Sequence, residues 1–132
     1  MRFRKFNASN TGRYHRLTPT ITFHRDGRAT INGEAQQLLS PDRSLEAIEF
    51  VQDAERPKDW YIRAASVDKG FVLRANSRGG RSKKLTAIRF VNHIMDTLET
   101  PDNVIYYRVA QQPTTIEDEA WYAILTANPI KK

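Results

Sequence analysis

Three histidines are the residues of this chain whose type best suits metal binding or acid–base chemistry: His15, His24 and His93. His24 and Asp26 form an H-x-D pair beside a predicted turn, which offers two potential metal ligands. A zinc site takes three or four protein ligands, so this pair falls short of one. Cysteine is absent, which excludes disulfides, thiol catalysis and thiolate metal sites. We therefore expect neither a metal nor another cofactor.

The carboxylates also lack the arrangement of a catalytic set. Glu46 and Glu49 lie on a predicted strand edge, and Glu117 to Glu119 lie in a predicted loop, so a solvated surface is the simpler interpretation. The sequence contains no G-x-S-x-G, no H-E-x-x-H and no glycine-rich phosphate loop with nucleotide-binding spacing. We expect a protein that is not an enzyme.

Positive charge, in contrast, is concentrated in two segments. The chain holds 21 Lys and Arg residues against 15 Asp and Glu residues, a formal net charge of +6. Residues 1–28 contain seven basic residues and one acidic residue, and residues 74–93 contain six basic residues and no acidic one. The stretches 29–73 and 94–132 are acidic in balance. Segregated positive charge of this kind favours the binding of phosphates.

The second segment contains a predicted anion-binding loop, RANSRGGRSKK at 74–84, with Gly79 and Gly80 at its centre. A smaller basic turn at 25–28 contains Asp-Gly, which is typical of a β-hairpin. A Tyr-Arg pair on a later strand suits stacking on a base. The candidate nucleic-acid-binding residues are therefore Arg25, Arg28, Arg74, Arg78, Arg81, Lys83, Lys84, Tyr107 and Arg108. Two alternatives remain open, namely a solvated basic loop and tyrosines that fill core positions.

A mostly β structure is expected to position these residues. Period-two alternation predicts about seven short strands, mostly antiparallel, in an α+β fold that forms a sheet or a split barrel. Asn32 predicts the cap of a short helix, GEAQQLL, and a long helix is predicted over 83–99. His93 lies on the polar face of that long helix. Its apolar stripe is expected to be buried at Leu85, Ile88, Val91, Ile94, Met95 and Leu98.

The chain is expected to form a basic, partly ordered leader at 1–18 and one globular domain at 19–132. Within that domain an internal repeat is expected, at 19–66 and at 70–127. Each copy would consist of a strand, a basic turn, a helix and two further strands. Both copies close on a Trp-Tyr pair, Trp60-Tyr61 and Trp121-Tyr122. A repeat of this kind predicts that the two basic loops lie on one side of the molecule.

The segment ITFHRDGRATINGEAQQLL, followed by EAIEFVQD, resembles the swapped-hairpin AbrB/SpoVT/MraZ group of bacterial transition-state regulators and antitoxins. Residues 20–52 carry the match, through Gly27, Arg28, Ile31 and Leu38 or Leu39. The resemblance implies a small β-barrel, usually formed by dimerisation, which binds DNA through basic residues near the first hairpin. Arg25 and Arg28 are the matching positions here. Two departures are Asn32, where the family has proline, and 41–44, where it has Gly-Asp.

Two functions follow as expectations. The first is a small nucleic-acid-binding module with DNA as the expected partner, such as a regulator that acts as a homodimer. The second is a non-enzymatic structural or protein-interaction domain of a phage or mobile-element assembly, which would meet an acidic partner. No window approaches 18 consecutive apolar residues, and the N-terminus lacks the apolar run of a signal peptide. A cytoplasmic location without membrane attachment is expected.

Overall fold

The chain folds into short strands where apolar and polar residues alternate, and into helices at two amphipathic segments. The computed structural model describes residues 18–76 and 80–130, which contain two helices, α1 (Gly33–Leu39) and α2 (Ile88–Thr97). The strands in these ranges are β1 (Thr20–His24), β2 (Arg28–Ile31), β3 (Ala47–Gln52), β4 (Trp60–Ala65), β5 (Phe71–Val72), β6 (Arg74–Ala75), β7 (Lys83–Thr86), β8 (Val104–Arg108), β9 (Thr114–Ile116) and β10 (Glu119–Ile124). The α+β class is confirmed. The described ranges contain ten strands, whereas about seven were predicted. The difference arises partly because β5, β6 and β9 are too short to show a period-two alternation.

The strands form two antiparallel sheets of five, in the orders β6-β7-β2-β1-β8 and β5-β3-β4-β10-β9. Further backbone hydrogen bonds join the sheets at both margins. At one margin the Leu73 N–H, between β5 and β6, donates to the Glu46 carbonyl over 2.9 Å. At the other, Val109 pairs with Ile124 just beyond β8. The two sheets therefore form a continuous ring of strands around one core.

The order strand, strand, helix, strand, strand occurs twice along the chain. Strands β1 to β4 enclose α1, and strands β5/β6, β7, β8 and β10 enclose α2, with β9 as an additional strand. Strands of one half pair with strands of the other. Strand β1 pairs with β8, and β2 pairs with β7. Strand β4 pairs with β10, and the pairing of β5 with β3 corresponds to that of β1 with β8. The topology thus has an internal two-fold relation, which places β2 and β7 in the middle of the first sheet.

Helix α1 has the bounds predicted from the sequence, because its cap is local. The Asn32 side chain accepts a hydrogen bond from the Ala35 N–H over 2.9 Å, which satisfies one of the free amides of the first turn. Ala35 and Leu39 are buried on the core side. The cap also ties the helix to β1, since the Thr20 N–H donates to the same Asn32 oxygen.

The second helix is shorter than predicted, and its first five residues were assigned wrongly. Lys83–Thr86 form β7, in which Leu85 lies opposite Ala29 of β2 and is buried. Leu85 would be buried in a helix as well as in a strand, so the apolar pattern alone does not distinguish the two assignments. The prediction that Ile88 is buried is also wrong, since it begins the helix and its exposed fraction is 59%. Burial agrees with the prediction at Val91, Ile94 and Met95.

Gly27 allows the β1–β2 turn to lie directly against the start of α2. Its φ of +103° is one that residues with a side chain rarely adopt. A Cβ at this position would lie 2.7 Å from the Ile88 Cα atom, so there is no room for a side chain. The Gly27 carbonyl accepts a hydrogen bond from the Ala87 N–H over 2.9 Å. This turn and the helix are therefore positioned together.

An aromatic cluster lies where α2 meets the second sheet. Phe90 stacks on Phe71 with ring centroids 4.6 Å apart, and it also contacts Phe50 and Trp60. The Trp60 indole donates to the Thr97 hydroxyl over 3.0 Å, so its polar atom is satisfied. No helix in the described part of the chain is long and apolar enough to cross a membrane.

Candidate nucleic-acid interface

One row of side chains crosses all five strands of the first sheet. Arg74 on β6 is paired with Lys84 on β7, Lys84 with Thr30 on β2, Thr30 with Thr22 on β1, and Thr22 with Tyr106 on β8. Paired residues share a face of the sheet, and their chain neighbours point to the opposite face. Those neighbours include the buried Ile21, Ala29, Leu85 and Tyr107. The row therefore lies on the face of the sheet opposite these core residues, although Thr22 at its centre is itself buried.

Register places further cations on the same outer face. Arg28 is paired with Thr86, and Thr20 is paired with Arg108. We call the outer surface of this sheet the basic face, and we define it by Arg28, Arg74, Lys84, Tyr106 and Arg108, together with the threonines at 20, 22, 30 and 86 and with His24. Adjacent strands lie about 4.8 Å apart, so the row spans roughly 19 Å from β6 to β8.

The charge of the basic face is largely uncompensated. Its strand positions include no Asp or Glu. Arg74, Lys84 and Arg108 make no ion pair with a carboxylate within the described ranges, whereas Arg28 pairs with Asp26 over 2.9 Å. The second sheet is different, because its outward Arg63 pairs with both Glu49 and Glu119. Three free cations thus concentrate on one sheet.

Arg25, a predicted binding residue, is occupied in holding the β1–β2 turn to α2. Its guanidinium donates to Asn92 Oδ1 over 3.1 Å, to Asp96 Oδ1 over 2.8 Å and to the Thr100 carbonyl over 2.9 Å. The Asn92 amide in turn donates to the Arg25 carbonyl. The structure therefore gives Arg25 a tethering role, which the turn sequence did not reveal.

Lys83 has a similar role at the other end of the sheet. Its ammonium group donates to the Ser44 hydroxyl over 2.9 Å and to the Leu45 carbonyl over 2.6 Å. Arg81 is more exposed, and its closest carboxylate is that of Glu34 at 3.8 Å. Of the two adjacent lysines, Lys84 is the one that faces outward from the sheet. Arg78 lies outside the described residues, as does the leader at 1–17.

The expectation that Tyr107 presents its ring for stacking is wrong. Only 2% of Tyr107 is exposed, and its ring packs 6.2 Å from that of Phe23. Burial, together with the charge of Asp102, raises the pKa of Tyr107 to about 12. Tyr106 occupies the outer face instead, because a shift of one residue along a strand changes the face. In the sequence, the alternation of Ile105, Tyr107 and Val109 already indicated that Tyr107 lies on the core side of the strand.

The described ends of the two basic loops lie at opposite ends of one strand pair, although Arg28, Arg74 and Lys84 share one face of the sheet. The β1–β2 turn adjoins Arg28, which is paired with Thr86 at the end of β7. The β6–β7 connection adjoins Lys83, which is paired with Ile31 at the end of β2. The β1–β2 turn and the residues just before β7 therefore lie at opposite ends of the β2–β7 pair, and the basic face extends between them.

His24 is a partly buried titratable group of the basic face. Arg28 Nη2 lies 3.5 Å from its Nδ1, while its Nε2 is buried without a hydrogen-bond partner in the described structure. Burial, with the nearby Arg28 guanidinium, lowers the pKa of His24 below its ordinary value, although the Asp26 carboxylate acts in the opposite sense. No group of three or more His, Asp or Glu side chains within residues 18–76 and 80–130 could hold a metal ion.

Comparison with known proteins adds no further constraint on this interface. No protein-family model matches the chain, and neither a curated protein nor a solved structure matches it at a significant level. The resemblance of residues 20–52 to swapped-hairpin regulators therefore stays an expectation.

Proposed function

We propose that this protein binds nucleic acid, with DNA as the expected partner, through the basic face. The observation that carries the proposal is the set of three unpaired cations, Arg74, Lys84 and Arg108, on one sheet face without a carboxylate at any of its strand positions. Cations so arranged displace the counterions condensed on a phosphate backbone, and this release drives association.

The other side chains of the face suit a phosphate backbone better than they suit the bases. Thr30 and Thr86 place hydroxyl groups between the cations, and hydroxyl groups commonly donate to phosphate oxygens. The Thr20 hydroxyl already donates to the Thr18 carbonyl over 2.9 Å. Tyr106 is the one aromatic residue among the strand positions of the face, so little surface is offered for base stacking. Phosphate contacts position a protein but carry no direct sequence information. We therefore expect binding that depends strongly on salt and weakly on sequence.

A direct titration tests this function. Fluorescence anisotropy with a labelled duplex and a labelled single strand of the same sequence, at about 50 mM and about 200 mM salt, measures affinity and its salt dependence. We expect binding at the lower salt concentration that weakens steeply at the higher one. A polyglutamate chain of equal charge is the matched competitor. Competition by polyglutamate as strong as that by DNA, or no binding to either oligonucleotide, would favour an acidic protein partner instead.

A further inference from the structure

A polar cavity of about 460 Å³ lies between α1 and the connection that follows it. Helix α1 lines one wall through Gly33, Gln36 and Gln37. The opposite wall is formed by residues 40–45, and Arg81 borders the cavity from the segment before β7. The volume lies within the range of small-molecule sites, roughly 300–1,000 Å³.

Two guanidinium groups with unused donors line this cavity. Arg43 makes no side-chain hydrogen bond or ion pair within the described part of the chain, and it is exposed. The Arg81 side chain is 77% exposed, and 3.8 Å separates its nitrogen from the nearest oxygen of Glu34. That distance is too long for a hydrogen bond. Each guanidinium carries five N–H donors, so most of this donor capacity is open to a ligand.

The backbone that carries these two arginines is nevertheless held in place. Gln36 Nε2 donates to the Arg81 carbonyl over 2.7 Å, and the Ser40 hydroxyl donates to the Arg43 carbonyl over 2.8 Å. Lys83 fixes the far wall through its bonds to Ser44 and Leu45. The backbone of the cavity walls is therefore held in place, which lowers the entropic cost of binding, whereas the two free guanidinium groups must still be ordered by the ligand.

We propose that this cavity binds a phosphate monoester, with Arg43 and Arg81 as donors to its phosphate oxygens. The planar guanidinium fork matches the geometry of phosphate and forms charge-assisted hydrogen bonds with it. Asp42 also lines the cavity and offsets part of its positive charge, so anion binding there depends on both guanidinium groups. A free nucleoside monophosphate and the phosphorylated end of a nucleic-acid strand present the same chemical group.

Isothermal titration with a nucleoside monophosphate, and with the corresponding nucleoside, tests this site. We expect the nucleotide to bind and the nucleoside to bind at least about ten-fold more weakly. Arg43→Gln and Arg81→Gln should each weaken nucleotide binding by about ten-fold. Arg56→Gln is the matched control, because Arg56 is exposed in the β3–β4 connection and does not line the cavity. Equal affinities for nucleotide and nucleoside, or unchanged affinity in the double variant, would overturn the proposal.

Gly33→Ala provides a variant that displaces the proposed ligand group without removing it. A Cβ at Gly33 would lie 2.7 Å from Arg81 Nη2, so the guanidinium must move away from its present position. Alanine is a better helix former than glycine, and we expect the thermal midpoint to be unchanged or higher. Nucleotide affinity should fall several-fold. A fully retained affinity would show that Arg81 does not contact the ligand.

Oligonucleotides with and without a 5′-phosphate distinguish the two sources of the phosphate group. If a strand end is the ligand, the phosphorylated oligonucleotide binds more tightly than the unphosphorylated one, and Arg43→Gln/Arg81→Gln removes the difference. If a free nucleotide is the ligand, the monophosphate binds but the two oligonucleotides do not differ. If the monophosphate does not bind and the two oligonucleotides do not differ, the proposed cavity site is overturned. The function proposed for the basic face is unaffected by that result. Free nucleotide binding does not depend on the function proposed for that face.

Discussion

Arg74 on β6 lies directly opposite Lys84 on β7, so two like charges form a cross-strand pair at one margin of the basic face. Like charges in this position destabilise a sheet, typically by some tenths of a kcal/mol to about 1 kcal/mol. Neither side chain has an ion-pair partner in the described structure that would relieve the repulsion. A phosphate lying over the pair would relieve it, which links the local cost in stability to the proposed function.

Lys84→Glu separates stability from binding. The substitution replaces repulsion with attraction across the Arg74 pair, so we expect the free energy of unfolding to rise by about 0.5–1 kcal/mol at low salt. Nucleic-acid affinity should fall, because one phosphate contact is replaced by a negative charge. Urea denaturation and anisotropy titration measure the two effects. Repeating the denaturation at about 1 M salt should shrink the stability gain, and a gain that persists there would mean that it is not electrostatic.

Arg25→Ala is expected to affect stability rather than binding. It removes hydrogen bonds to Asn92, Asp96 and the Thr100 carbonyl, and we expect a loss of about 1–3 kcal/mol in unfolding free energy. Arg25→Lys should recover little, since an ammonium group does not reproduce the fork. The salt dependence of DNA binding should stay close to that of the wild type. If Arg25→Ala keeps the wild-type melting temperature but shows a flatter salt dependence of DNA binding, Arg25 contacts nucleic acid and this explanation is wrong.

Glu99→Gly should stabilise the end of α2. Glu99 adopts a φ of +55°, and the Thr100 N–H bonds to the Met95 carbonyl over 3.3 Å, as in a Schellman motif. Glycine is favoured at this position, and we expect a gain of about 0.5–1 kcal/mol in thermal or urea denaturation. Glu99→Ala is the control, because it also loses the exposed ion pair with Lys58 but keeps the unfavourable φ. Equal stabilities of the two variants would contradict this explanation.

His24 should make folding stability depend on pH. Its pKa is lowered in the folded state from the ordinary value of 6.5, so the unfolded chain binds its proton first as the pH falls. The contribution of neutral His24 is therefore fully present above pH 6.5 and is lost as the pH falls towards the folded-state pKa. Urea denaturation at pH 7.5 and pH 5.5 should show a smaller decrease for His24→Gln than for the wild type. Identical decreases would show that His24 does not contribute.

Local signals allowed part of this structure to be predicted, and pairing partners decided the rest. The Asn32 cap and the Asp-Gly turn act within a few residues, so α1 and the β1–β2 hairpin follow from sequence alone. Leu85 satisfies the apolar pattern of both a helix and a strand, and its assignment depends on Ala29, more than 50 residues away. The separate roles of Arg25 and Lys84 depend on the same kind of distant contact. Composition identifies basic segments but does not say which of their cations are free.

The salt dependence of DNA affinity in two charge-matched triple variants tests the central claim most directly. Arg74→Gln/Lys84→Gln/Arg108→Gln removes the three unpaired cations of the basic face. Arg56→Gln/Lys58→Gln/Lys69→Gln removes three exposed cations from the connections β3–β4 and β4–β5. We expect the first variant to flatten the log–log slope by about 2–3 on duplex DNA, at about 0.9 for each phosphate contact, and the second to keep the wild-type slope. Equal slopes for the two variants would contradict binding through the basic face.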